Sequence, residues 1–212
     1  MPRRRLICWA LALFIGVPAA VRIQAQEVPA AATSEVESNG DYIRAEFRGQ
    51  FEKAAGAREE HAGFQVTSGG VTWEVGALAN EALLQKAEQL LGKGVIARGT
   101  YEEHVGGART ERVLTVKGLA SPPAGRRHEF IEVTVRGTLR YGVMAIGAET
   151  TGVTITAGAV TWELELRGNQ RPVAERLSGT KAVVSGRLER KKGIEVRDRY
   201  VVRARSIGPA MP

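Results

Sequence analysis

Val71-Thr72-Trp73-Glu74-Val75 and Val160-Thr161-Trp162-Glu163-Leu164 are one pentapeptide pattern met twice, 89 residues apart. Other positions fall into line around this anchor at offsets of 87 to 89. Arg48-Gly49 matches Arg136-Gly137, and Phe51 matches Leu139. Glu60 and Gly63 match Glu149 and Gly152. Leu90 and Gly92 match Leu177 and Gly179, Gly99 matches Gly186, and Gly106 matches Gly193. Matches in the same order over a fixed period are the mark of an internal repeat. Its signature is Gly49, Trp73, Glu74, Gly92 and Gly99 in the first copy, and Gly137, Trp162, Glu163, Gly179 and Gly186 in the second.

Within each copy the apolar period is mostly two. Ile131, Val133 and Val135 alternate with Glu132, Thr134 and Arg136, the pattern of a half-buried strand. Val153–Thr156 and Val160–Leu164 are two more strands, with Gly158 at the turn between them. The period then becomes helical over Arg171–Leu177, and more clearly over Asn80–Leu91. There Leu83, Leu84, Ala87, Leu90 and Leu91 share a side and Gly92 stands just past the end. Two strands close each copy: Gly94–Tyr101 and Arg112–Leu119, then Lys181–Glu189 and Val196–Ile207.

Strand, strand, strand, helix, strand, strand is the order of an OB fold, a five-stranded Greek-key barrel. The expected fold is therefore mainly β: two tandem five-stranded OB-like barrels, each with one short helix between its third and fourth strands. Gly49 and Gly137 fall inside a long first strand, where a barrel must bend sharply. The strand order and the Gly…Trp-Glu…Gly spacing resemble those of small exported bacterial OB-fold proteins, across essentially the whole mature chain. The resemblance implies an envelope binding module and carries no catalytic motif. One larger β-sandwich made from both copies is the competing arrangement.

The boundaries follow from composition. Arg3-Arg4-Arg5 precedes an apolar run, Leu6–Val21, that Gly16 and Pro18 interrupt. A spanning helix needs about 20 apolar residues, so residues 1–25 read as a secretory signal peptide. Cleavage falls after Ala25 or after Ala19. The expected location is periplasmic or extracellular, in a bacterium. Residues 26–41 have little hydrophobicity and read as a disordered leader. Repeat one takes residues 42–120, a Pro/Gly-rich linker 121–129, repeat two 130–207, and a tail 208–212.

Removing the signal peptide takes away four arginines and no acid, leaving 26 basic against 23 acidic residues. The net is +3 rather than +7, which weakens any argument from overall basicity. The sole cysteine, Cys8, goes with it, so the mature chain has no disulfide and no thiolate ligand. His61, His104 and His128 stand in no metal-ligand spacing. No nucleophile elbow or phosphate loop occurs. No catalytic residue, metal or cofactor is expected, and the protein reads as non-enzymatic.

Charge is divided unequally between the copies. Residues 27–120 have a net charge of −4, and residues 121–212 a net of +7. Arg187, Arg190, Lys191 and Lys192 lie beside the loop joining the last two strands, and Arg197, Arg199, Arg203 and Arg205 alternate along the final strand. These eight are the candidate ligand-binding residues, a surface suited to a polyanion. Outside the cytoplasm the expected partners are an anionic glycan, a lipid head group or an acidic protein. Nucleic acid ranks behind them, because the ten mature aromatics mostly share strand positions with apolar neighbours. A structural or assembly protein of the cell envelope acting by protein–protein contact is the alternative, and an enzyme with an unrecognised site ranks behind both. Trp73 and Trp162 share a face with Val71, Val75, Val160 and Leu164, so parity favours the core over the other reading, a stacking platform with Glu74 and Glu163 selecting a cation or a hydroxyl.

Overall fold

The computed structural model describes residues 40–55, 63–106, 109–123, 129–144, 150–193 and 198–211. Residues 1–39, which hold the expected signal peptide and most of the expected leader, and His61, His128 and Arg197 lie outside the described residues. In chain order the elements are β1 (Tyr42–Lys53), β2 (Phe64–Ser68), β3 (Val71–Leu78), α1 (Glu81–Leu90), β4 (Lys93–Gly106) and β5 (Arg109–Ala120). They continue as β6 (Phe130–Tyr141), β7 (Val153–Ala157), β8 (Val160–Glu165), a 3-10 turn (Gly168–Gln170), α2 (Arg171–Arg176), β9 (Lys181–Lys191) and β10 (Arg199–Pro209).

The protein is mainly β, with a closed five-stranded barrel, further strands and few helices. β1 pairs with β2, β2 with β3, β3 with β5, β5 with β4, and β4 returns to β1. Only the β3–β5 ladder is parallel within this circuit. Within the ring β2 covers only Gln50–Lys53 of β1, and the edge left along Tyr42–Arg48 is covered by β6. The further strands pair as β6–β7, β7–β8, β8–β10, β10–β9 and β9–β6, again with a parallel third ladder.

The circuit depends on glycine where walls cross closely. A Cβ on Gly49 would stand 1.9 Å from the Thr67 carbonyl oxygen, and one on Gly137 2.2 Å from that of Thr156. Gly99 and Gly186 meet the Thr115 and Arg203 carbonyls at 2.0 and 2.3 Å in the same way. These four positions are where the first and fourth strands bend against a neighbour.

Helix α1 is capped by Asn80, whose side chain accepts from the Leu83 N–H at 3.0 Å. Gly92 follows with φ of 70°, a left-handed turn, and donates to the Phe51 carbonyl at 2.8 Å. Gly179 repeats this with φ of 81° and a 2.8 Å bond to Leu139. The helix buries only Ala87 and Leu90, while Leu84 is 41% exposed. Its apolar stripe is narrower than the spacing suggested, because the helix touches the barrel along one line.

Two elements run further than composition indicated. The β4–β5 ladder continues to Gly106 opposite Arg109, and β10 includes Gly208 and Pro209, which pair with Val183 and Ala182. Partner strands supply these extensions, and a local period cannot register them.

β1 and β6 also pair with each other, Tyr42 opposite Arg136, Ala45 opposite Val133 and Arg48 opposite Phe130. At the sequence offset of 88, Tyr42 matches Phe130, Arg48 matches Arg136, and Ala45 matches Val133. Exchanging matched residues therefore regenerates the same pairs, the property of a two-fold axis through the Ala45–Val133 pair. Trp73 and Trp162 meet behind this seam, with Tyr101 beside both. The buried apolar residues of all ten strands thus form one continuous core.

Candidate functional site

The outer face of β8, β10 and β9 carries most of the arginines and lysines singled out above. Alternation along β10 turns Val202 and Ala204 inward and Arg203 outward. A bulge between Ala204 and Ser206 leaves Arg205 outside the ladder register. Gln170, 7% exposed, holds that bulge: its side-chain amide donates to the Ala204 and Arg205 carbonyls at 3.3 and 3.1 Å, and its side-chain oxygen accepts from the Arg167 N–H.

The charges on this face are matched, not massed. Arg199 grips Glu163 with two bonds, of 2.8 and 2.6 Å, the fork geometry that suits guanidinium and carboxylate. Lys191 reaches Glu165 at 2.6 Å, and Arg203 lies 3.5 Å from both Glu165 and Glu189. Arg205 pairs with Glu132 at 2.5 Å and Arg190 with Asp198 at 2.7 Å. Arg187 donates to the Glu129 carbonyl at 3.0 Å and lies over the Phe130 ring. Lys192 is exposed. Six of the seven described candidates are thus engaged within the chain, five by carboxylates and Arg187 by a backbone carbonyl.

The pairing is visible in the acid strengths. Hydrogen bonds from Arg199, with one from the Thr151 N–H, hold the Glu163 carboxyl below the usual carboxylate range against its burial. Lys191 does the same for Glu165. At the seam, burial would raise Glu46, yet Arg98 and Arg48 hold it low at 2.6 and 2.8 Å.

The repeat signature divides by burial. Trp73 and Trp162 are 1% and 3% exposed. The Trp73 indole nitrogen meets no acceptor among the described residues. Tyr101 donates to Glu103 at 2.7 Å, and burial together with that carboxylate pushes its hydroxyl far above its ordinary range. Glu163 has the grip described above, and its counterpart Glu74 lies exposed on β3. Among the described residues no group of three or more His, Cys, Asp or Glu is placed to hold a metal ion.

Sequence reasoning missed three arginine–aromatic stacks formed by half-buried rings at and beside the seam. Arg44 lies over Tyr42 at 4.6 Å, Arg48 over Phe130 at 4.6 Å, and Arg112 over Tyr200 at 4.7 Å. Arg187 adds a second guanidinium near Phe130, at 5.2 Å. Sequence reasoning also missed that Asp41 and Glu129, matched at the 88 offset, each accept from a β-turn in the other half. The Gly158 N–H donates to Asp41 at 3.4 Å and the Gly69 N–H to Glu129 at 3.2 Å. Their equal placement, one residue before each first strand, was the available signal.

No family model and no curated protein matches the chain. Among solved structures it is similar to a deletion variant of the single-stranded DNA binding protein from Thermus aquaticus, with a TM-score of 0.50 and 16% identity, over 82% of this chain and 97% of that one. The wild-type form of that protein is also similar, with a TM-score of 0.46 and 15% identity, over 81% and 93% of the two chains. The likeness to the variant is one of fold, and with the strand circuit above it establishes an OB-type β-barrel. It corrects the partner expectation. An anionic glycan, lipid head group or acidic protein was placed ahead of nucleic acid, yet the barrel is shared with a single-stranded DNA binder. The envelope-assembly alternative is set aside with them. The physical reason for the misplacement is twofold: the cation cluster is neutralised by carboxylates, and aromatics counted as core include half-exposed rings stacked on arginine.

Proposed function

We propose that this chain binds single-stranded nucleic acid, without turnover, through two tandem OB-type barrels. The observation that carries the reading is the similarity of fold to a single-stranded DNA binding protein over 82% of this chain and 97% of the other. The chain's own surface supports it. Single strands are held by aromatic and arginine planes on which successive bases stack, with cations along the backbone. Tyr42, Phe130 and Tyr200, each half-buried and each with an arginine over its ring, supply such planes. Lys192 supplies an exposed cation beside the β9–β10 loop, one of the loops that OB folds use for ligands. The repeated circuit of pairings and the four matched glycines support the tandem reading. We also propose that the protein is exported, on the strength of Arg3–Arg5 and the apolar run Leu6–Val21.

Fluorescence anisotropy with a labelled oligothymidine of about 30 nucleotides tests the function, since an OB fold covers roughly 4–16 nucleotides. Saturable binding that prefers the single strand to a duplex is expected. Tyr200→Ala combined with Phe130→Ala should weaken it by about 30-fold or more, given roughly 1–3 kcal/mol per stacked base. Absence of saturable binding by the folded protein at low salt overturns the proposal.

A further inference from the structure

Arg136 is a charged side chain taken out of water on β6, where its neighbours across the ladders are Tyr42 and Val183. Only 7% of the residue is exposed. A buried charge ordinarily has a counter-charge beside it, because its lost hydration is otherwise not made good. Arg136 has none among the described residues. Its one hydrogen bond there runs from a guanidinium nitrogen to the Met211 carbonyl, at 3.0 Å. The acids beside it in the ladders turn elsewhere: Asp41, just ahead of β1, takes Lys181 and the Gly158 N–H, and Glu132 takes Arg205.

The matching position in the first half shows what is missing. Arg48 stands between Phe130 and Ile96 as Arg136 stands between Tyr42 and Val183. Two of its guanidinium nitrogens lie 2.8 Å from the Glu46 carboxylate, which Arg98 also reaches at 2.6 Å. At the offsets of 88 and 87, Glu46 becomes Thr134 and Arg98 becomes Ser185, a neutral pair joined at 3.1 Å. The second half thus keeps the arginine and lacks its carboxylate. The acceptor it has instead stands on a lightly fastened segment. Pro209 has no N–H to give. Beyond it, among the described residues, the Ala210 N–H bonds the Lys181 carbonyl at 3.1 Å and Met211 takes the Arg136 bond. Met211 is itself 75% exposed.

We propose that Arg136 is a phosphate site against which residues 210–211 lie, and that a bound phosphate takes the place of the Met211 carbonyl. The guanidinium has five N–H donors in a rigid fork, which two phosphate oxygens match and a single carbonyl does not. Charge favours the exchange, since a neutral acceptor gives way to an anion beside a buried cation. Thr134 and Thr138, half-buried two residues to either side on β6, are hydroxyls of the kind that complete phosphate contacts. The same chemistry serves a phosphate within a strand and a free one, so the inference stands apart from the nucleic-acid reading.

Amide NMR of the full chain, titrated with inorganic phosphate against sodium chloride of equal ionic strength, tests it. The Ala210 and Met211 amides should shift with saturation in phosphate alone, while Glu46 and Phe47, beside the satisfied Arg48, stay in place. Thr134→Glu gives Arg136 the carboxylate that Glu46 gives Arg48. It should weaken phosphate binding by about tenfold or more, with near-ultraviolet circular dichroism of the paired tryptophans verifying the fold. Should that variant not fold, Arg136→Lys, which keeps the charge without the fork, is expected to weaken binding several-fold. An oligothymidine of about 30 nucleotides supplies a second arm. Shifts at Ala210 and Met211 with both probes assign the site to a strand phosphate, and shifts with inorganic phosphate alone assign it to a free one. Oligothymidine binding without any phosphate shift overturns this inference and leaves the nucleic-acid reading standing; a phosphate shift without oligothymidine binding does the reverse. No saturable shift in phosphate, an equal shift in chloride, or an affinity unchanged by Thr134→Glu overturns the proposal.

Discussion

Trp73 and Trp162 lie with ring centroids 6.4 Å apart and planes 17° from parallel, although 89 residues separate them. Phe47 meets Trp73 edge-on at 4.1 Å, and Tyr101 lies 4.2 Å from Trp73 and 5.5 Å from Trp162. The tryptophan common to the two pentapeptides is therefore also one of the residues through which the halves join. Trp162→Ala should cost about 3–5 kcal/mol, the usual range for an aromatic truncated in a packed core. Because the core is continuous, tryptophan fluorescence and far-ultraviolet circular dichroism should trace one coincident denaturant transition in the native protein. Two separated transitions would show that each half has its own cooperative unit.

Glycine substitutions should divide sharply by site. Gly137→Ala forces a Cβ to 2.2 Å from a backbone oxygen, so one wall must shift and about 3 kcal/mol or more is lost. Gly168 has nothing within 4 Å of the corresponding point. Gly168→Ala should be neutral, or stabilising by up to about 1 kcal/mol through the unfolded chain. Urea midpoints of the two variants decide this.

Glu163 should give the fold part of its resistance to mild acid. Its folded carboxyl titrates below the ordinary value of 4.5 because Arg199 bonds the ionised form. That contribution is complete above the ordinary value and is lost as pH falls through the lowered one. Glu163→Gln should therefore be less stable than the native protein by roughly 1–3 kcal/mol near neutrality. The gap should close as pH drops below about 4. Glu132→Gln, facing an Arg205 side chain that is 69% exposed, should cost no more than about 1 kcal/mol. Melts in parallel at pH 7 and pH 3 supply the comparison.

Gln170 should matter more than a loop glutamine ordinarily does. Its buried amide holds the carbonyls of the β10 bulge, so Gln170→Ala leaves those acceptors without their donor. A loss of about 1–3 kcal/mol is expected. Hydrogen exchange should locate the loosening at Ala204–Ser206, and uniform loosening across β10 would count against this role.

Much of the barrel was legible in the sequence for local reasons. Alternation in Ile131–Arg136 reports a wall with one buried face, and Asn80 with Gly92 reports the two ends of α1. The candidate site was legible only as a set of cations. That Glu163 faces Arg199, Glu165 faces Lys191 and Glu132 faces Arg205 depends on strand neighbours and bulges, which no count of charges contains. The stacks of Arg48 on Phe130 and of Arg112 on Tyr200 arise for the same reason, since each joins strands from different halves.

By itself the sequence determined the alternation along the strands, the two ends of α1 and the glycine positions where the walls cross. Side-chain period and the steric demand for a missing Cβ act over a few residues, so they leave their mark in the chain itself. The tertiary structure alone decided that β1 lies against β6 about a two-fold axis and that Trp73 meets Trp162. It alone decided that Arg190 reaches the Gly70 carbonyl and that Asp41 accepts from the Gly158 N–H, each across the two halves. Those outcomes depend on register between strands some 90 residues apart and on which side chain happens to stand opposite, and both are properties of the folded surface.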